Sequence, residues 1–100
     1  MIKENLTILI ILYEENLKVI EKCLDNIKKY KVIIIDNSND KKLKKKIIQN
    51  YKIYKYFLNK KNVGFSKAAN QGIFECDTEY VLLLGADCIM NYEDIEELMI

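Results

Sequence analysis

Two acidic residues stand where buried strands are expected to end. Asp36 closes the run VIIID, and Asp87 lies just beyond EYVLLL. A carboxylate at the end of a buried strand loses hydration and needs a compensating partner. A metal ion, a nucleobase or a ribose hydroxyl would serve. So would the N–H groups of a helix start, where Asp is a favoured cap. Asp36 could cap the turn that follows it. Asp87 falls three to four residues before the last expected helix, early for a cap. The other concentration of chemically suggestive residues is NKKNVGFSKAANQG, residues 59–72. Gly64 permits a backbone conformation that other residues resist. Ser66 is placed to cap a helix, and Ala68, Ala69 and Gly72 give that helix a slim face open to close approach. Asn70 is then an amide one turn into the helix, and a buried Asn marks a specific hydrogen-bonding task. The same residues also suit a plain loop followed by a small-residue packing face.

What is missing narrows the chemistry. Among the 100 residues there is no His, which excludes Ser-His-Asp, Cys-His and imidazole metal sites within this chain. All sixteen basic residues are Lys, so a phosphate clamp here would use Lys or backbone N–H groups. Cys23, Cys76 and Cys88 lack metal-ligand spacing and are expected to be core fillers in a reducing cytoplasm. Neither the GxGxxG fingerprint of dinucleotide-binding folds nor a GxxxxGK[ST] phosphate loop occurs. A response-regulator receiver would need an Asp after its third strand, where this chain has Leu58-Asn59. A formal net charge of +1 argues against a nucleic-acid partner. The lysine run of residues 41–46 reads as a solvated helix face, or as attraction to an anionic membrane surface or substrate.

The positioning elements alternate along a single expected domain, residues 1–100. Strands are expected at residues 6–13, 32–36, 51–58 and 79–84. Helices are expected at residues 16–29, 41–50 and 66–75, with a last one capped by Asn91 and Asp94. LTILIILY and VIIID are apolar on both parities, as in strands covered on both faces. The βαβαβαβα order implies an α/β fold, an open, mainly parallel Rossmann-like sheet with helices on both faces. Ligands of such sheets bind beyond the carboxyl ends of the strands, near the switch point of strand order. That directs attention to Tyr13-Glu14-Glu15, Asp36-Asn37-Ser38, residues 60–70 and Gly85-Ala86-Asp87.

TILIILYEENLKVIEKCLDNI, VIIIDNSND, NKKNVGFSKAANQGI and EYVLLLGADCIM, in that order and spacing, resemble the nucleotide-sugar half of family 2 glycosyltransferases of the GT-A fold, nearest to their rhamnosyltransferase-like branch. The string N-x-G-F-x-x-A-x-N-x-G is its most specific part. The resemblance implies that Tyr13 and Glu14 touch the nucleoside and that Asp36 hydrogen-bonds the base. It implies that Asn62, Gly64 and Asn70 line the nucleotide pocket. Asp87 would hold a divalent cation, Mg²⁺ or Mn²⁺, whose hard-ligand preference suits a carboxylate. Gly85 and Ala86 replace the other members of the family's metal element, and Leu-Tyr-Glu-Glu-Asn replaces its usual Thr-Tyr-Asn.

The implied activity is an inverting glycosyl (hexosyl) transfer from a UDP- or dTDP-sugar to a glycan or lipid-linked acceptor in bacterial surface polysaccharide synthesis. It would take place in the cytoplasm, at the inner face of the membrane. No residue matches the family's catalytic base. The domain is expected to be incomplete at its C-terminus, leaving an edge strand that favours self-association or a partner chain. The alternatives are a non-catalytic nucleotide-binding module, a nucleotidyltransferase, whose basic Gly-rich first loop is absent, and an α/β interaction domain whose two acids are only caps.

Overall fold

A computed structural model describes residues 2–98. The elements are α1 (Ile2–Asn5), β1 (Leu6–Leu12), α2 (Leu17–Asp25), β2 (Lys31–Asp36), α3 (Lys41–Asn50), β3 (Lys55–Leu58), α4 (Phe65–Phe74), β4 (Tyr80–Leu83) and α5 (Tyr92–Leu98). The four strands form one parallel sheet in the order β3-β2-β1-β4. Chain direction across the sheet reverses between the β1-to-β3 run and β4. The switch point therefore lies at the carboxyl end of β1, as the expected open Rossmann-like sheet requires.

Strand parity divides the core. Ile8, Ile10, Val32 and Ile34 point to one face, where Ile20 and Leu24 of α2, Leu43 and Ile47 of α3 and Ile95 of α5 complete the larger cluster. Leu9, Ile33 and Ile35 point to the other face and meet Ala68 of α4. A Cβ on Gly72 would lie 2.3 Å from Leu9 Cδ1, so the slim face of α4 exists to let helix and sheet approach. In register, Leu12 pairs with Asp36 and Asp36 with Leu58, which sets the ends of β1, β2 and β3 level. β4 stops opposite Leu9, three residues lower, leaving Gly85-Ala86-Asp87 to climb toward the same pole.

Several expected boundaries move, for local reasons. β1 ends at Leu12, one residue before Tyr13. α2 stops at Asp25 rather than at residue 29. Asn26 closes it through its backbone N–H and through its side-chain amide, which donates to Lys22 O at 2.8 Å. Tyr51 is the extended C-cap of α3 rather than the start of a strand, so β3 has only four residues. Asp40 caps α3, accepting from Leu43 N at 3.0 Å, so Asp36 is not a helix cap. Ser66 does not cap α4 either. The helix starts at Phe65 with Gly64 as N-cap and no side-chain cap. Asn91 and Asp94 do form the reciprocal capping box ahead of α5.

β4 is the largest departure. It is expected to be buried, yet Tyr80, Val81 and Leu83 are exposed. It is an edge strand paired with β1 alone, and among the described residues no helix lies over Val81 and Leu83. The cysteines also separate. Cys23 is a buried core filler as expected, Cys76 is half-buried, and Cys88 is exposed, because it lies in the turn after β4.

Candidate functional site

At the carboxyl pole of the sheet, on the α4 side, lies a recess of about 300 Å³, at the small end of the range for ligand pockets. Ile11 forms its floor. Tyr13 and Glu15 contribute from the β1–α2 loop, Asn37 from the end of β2, and Asn62, Gly64 and Phe65 from the β3–α4 loop. Three loops that the sequence places at one pole thus meet around one hollow.

Each wall has a local cause. The β1–α2 loop turns sharply because Glu14 adopts a left-handed conformation, φ 61°. Glu15 Oε1 then accepts the Tyr13 N–H, and Asn16 starts α2 by accepting from Lys18 N at 2.8 Å. In the β3–α4 loop Asn62 Oδ1 accepts from Gly64 N at 2.8 Å. Gly64 holds φ 89°, ψ 163°, a region essentially confined to glycine. With no side-chain cap at Gly64, the first N–H groups of α4 are left to other acceptors at the edge of the recess.

Strand parity decides what Asp36 and Asn37 do. Asp36 shares a face with Ile34, on the side away from α4, and is 0% exposed. Its Oδ1 accepts from Ser38 N at 2.8 Å and from the Ser38 hydroxyl, while Oδ2 accepts from the Tyr56 hydroxyl. Burial first, and the bond to Asp36 second, push the Tyr56 phenol far above its usual range, so it remains a donor. Asn37 points the other way. Its Oδ1 accepts from Asn59 Nδ2 at 2.9 Å and from Val63 N, and Asn59 exchanges two 3.1 Å bonds with Gln71 of α4. This amide chain ties the ends of β2 and β3 to α4 and fixes the wall of the recess.

Of the residues singled out from sequence, Tyr13, Asn62 and Gly64 line the recess, and Glu14 sets the loop beside it. Asp36 lies beneath the pole with both oxygens engaged. Asn70 is exposed rather than buried. It stands two residues, or about 200° of helix rotation, from both Ala68 and Gly72, so it faces away from the packed side of α4. Asp87 is exposed and does not line the recess; it lies in the loop after β4, at the carboxyl end of that strand. Glu15 is held above its usual value mainly by burial, and then by Asp36, Asp87 and Glu14, against the opposing bond from Tyr13. A Cβ on Gly85 would meet Asp87 Oδ1 at 3.0 Å, so this glycine gives the carboxylate its room. Sequence reasoning reached Glu15, Asn37, Asn59, Phe65 and Gln71 only as members of the flagged segments, without individual roles, and missed Tyr56 altogether. For Tyr56 the readable signal is alternation, which puts it on the face of Ile34 and Asp36.

Two hard carboxylates follow strand ends at this pole, Glu15 in the lining of the recess and Asp87 outside it. Among the described residues no group of three or more His, Cys, Asp or Glu converges. A divalent ion would therefore fit only with further oxygens supplied by a bound diphosphate.

Comparison with known proteins agrees with this layout. A family model described as glycosyl transferase family 2 matches residues 7–99. A search of curated protein sequences finds no match. In backbone structure the chain is similar to the crystal structure of S. aureus TarS, with a TM-score of 0.76 and 21% identity over 95% of this chain and 19% of that one. It is also similar to the crystal structure of S. aureus TarS 1-349, with a TM-score of 0.73 and 20% identity over 95% of this chain and 31% of that one. The likeness is one of fold, and the chain spans less than a third of either protein.

Proposed function

Because this chain belongs to glycosyl transferase family 2, we propose that its polar recess receives the nucleoside diphosphate of an activated sugar, UDP or dTDP, in an inverting hexosyl transfer to a glycan or lipid-linked acceptor. Bacterial surface polysaccharide synthesis at the cytoplasmic face of the membrane is the setting this reading assigns. The observation that carries it is the meeting of Tyr13, Asn37, Asn62 and Gly64 around one hollow beside the switch point.

Each group has a chemical task in this reading. Tyr13 offers a ring face to the base, and Asn37 and Asn62, whose Oδ1 atoms hold the loop, offer their amide N–H groups as donors. Asp36 acts by positioning: it orders the Ser38 turn and Tyr56 behind Asn37, and would reach a base directly only by releasing one of them. The free N–H groups at the start of α4, with Lys60 and Lys61 just ahead of them in the chain, suit diphosphate oxygens. Asp87 and Glu15 would share a Mg²⁺ or Mn²⁺ ion, which when bound offsets the charge that builds on the departing diphosphate. Exposed Asn70 stands outside the hollow and would touch only a ligand that extends past α4.

Binding and transfer are tested separately. Titration calorimetry with UDP, dTDP and GDP, with and without Mn²⁺, is expected to show metal-assisted binding of a pyrimidine nucleotide. Asp87→Asn should weaken the metal-dependent part about tenfold while sparing the fold, on the scale of losing one charged ligand. Binding that needs no metal and ignores Asp87→Asn removes the cation from the reading; absence of any nucleotide binding removes the reading itself. Release of nucleoside diphosphate from a donor sugar reports transfer.

A further inference from the structure

The near-zero net charge conceals a strongly divided molecule. Residues 16–52 carry eleven lysines against four acids, and the remaining residues carry five lysines against eleven acids. The two populations meet where Lys31 pairs with Asp77 at 3.0 Å, but the most basic and the most acidic helices lie at opposite edges of the sheet. Basic α3 packs on β3, while acidic α5, with Glu93, Asp94, Glu96 and Glu97, follows β4 at the opposite edge of the sheet. The five lysines of α3 lie off its buried stripe of Leu43 and Ile47, and among the described residues none of them is ion-paired; Lys44 is half-buried with its ammonium 5.5 Å from the centre of the Tyr56 ring, and the other four are exposed. Ile48 breaks the pattern. It is 49% exposed, and its helical position places it between Lys41, Lys44 and Lys45 on the outward side.

We propose that the outward face of α3 is a docking surface for an anionic lipid bilayer, with its lysines at the headgroups and Ile48 dipping into the interface. Charge complementarity selects an anionic partner, because four exposed lysines without acidic partners on one helix are drawn to a negative surface. Ile48 selects lipid over nucleic acid. An aliphatic side chain ringed by lysines gains from partial burial among acyl chains and gains little from phosphates. Among the described residues no helix is long and apolar enough to cross a membrane, so the contact described is peripheral. The parallel sheet runs α3 back from the carboxyl pole, so its N-terminal end, at Asp40, lies next to the loop that carries Asn37. The inference stands on charge and exposure alone, and it survives if the recess binds no nucleotide.

Co-sedimentation of the full chain with vesicles tests it. Vesicles of phosphatidylcholine with about 30 mole per cent phosphatidylglycerol should bind the chain, and pure phosphatidylcholine should not. Raising salt from about 0.1 M to about 0.5 M should release it. Each lysine removed should cost about fivefold, so Lys41→Gln with Lys45→Gln should weaken binding about 25-fold. Ile48→Ser should weaken it about fivefold without changing the salt dependence. Lys60→Gln with Lys61→Gln removes the same charge from a loop outside α3 and should change binding less than twofold. Equal binding to neutral vesicles, or equal losses from the two lysine pairs, would overturn the proposal. Tighter binding to poly-uridine RNA than to vesicles, indifferent to Ile48→Ser, would reassign the surface to nucleic acid. If a variant fails to fold by circular dichroism, the lipid and salt series on the unaltered chain still decides.

Discussion

At the scale of single residues, backbone conformation and hydrogen-bond partners decide what each group can do. Gly64 is the clearest case. Its φ of 89° would strain any other residue, and the space around it is empty, so a side chain would meet a backbone penalty and no clash. Gly64→Ala should therefore lower unfolding free energy by about 2 kcal/mol in urea denaturation. Unchanged stability would mean that the loop relaxes to an ordinary conformation. Tyr56→Phe should cost about 1–2 kcal/mol, because it leaves a buried Asp36 oxygen without its donor. Glu15 sets a pH dependence. Its folded-state pKa is raised above the usual 4.5, chiefly by burial, so the folded chain holds a proton that the unfolded chain releases. Stability from this group is present at low pH and is lost as pH rises through that window. Glu15→Gln should flatten this loss, and melting curves taken from pH 4 to pH 7 would show the two proteins diverging as pH rises.

Among the elements, α4 and β4 show opposite solutions to covering a sheet. α4 lies tightly on β1 and β2 because Gly72 has no side chain, and Leu9 fills the space a Cβ would need. Gly72→Val should destabilise the chain by about 2 kcal/mol through overpacking, with thermal unfolding as the measure. β4 is left uncovered. The other edge strand, β3, carries Lys55, ion-paired to Glu75 at 2.9 Å, which discourages a further strand from pairing there. YVLL of β4 carries no charge and exposes three apolar side chains. This 100-residue chain should therefore self-associate at high concentration, and Val81→Lys should suppress it in sedimentation velocity runs. A chain that stays monomeric throughout would show that its exposed edge is already blunted.

For the molecule as a whole, the consequence of the topology is that one pole collects the chemistry and one flank collects the positive charge. The ends of β1, β2 and β3 are level, and the short β4 lets Gly85-Ala86-Asp87 rise to meet them. Asp36 ends β2, Glu15 follows β1 and Asp87 follows β4, so the parallel order brings all three acids to the carboxyl pole. They do not share one opening, because parity turns Asp36 toward Tyr56 and away from the recess. Removing Lys60 and Lys61 should weaken nucleotide binding several-fold, more so at low salt, if these lysines meet the diphosphate. The same pair should leave vesicle binding nearly untouched, so pole and flank can be told apart in one set of variants.

From β1 onward element type and order were legible from local pattern, whereas the short α1 ahead of it was not. Strands apolar on both parities announce a covered parallel sheet, and the spacing of Leu17, Ile20, Leu24 and Ile27 announces a helix against it. The N-x-G-F-x-x-A-x-N-x-G string was enough to indicate the family. Tertiary structure alone decided which oxygens are already engaged, that Asn37 rather than Asp36 opens into the recess, and that Gln71 rather than Asn70 joins the amide chain. It also decided that β4 is an exposed edge. Periodicity is set by residues a turn or a pleat apart, whereas burial and hydrogen-bond partners depend on which distant segment lies opposite. One step along a strand, or two along a helix, turns a side chain to the other side.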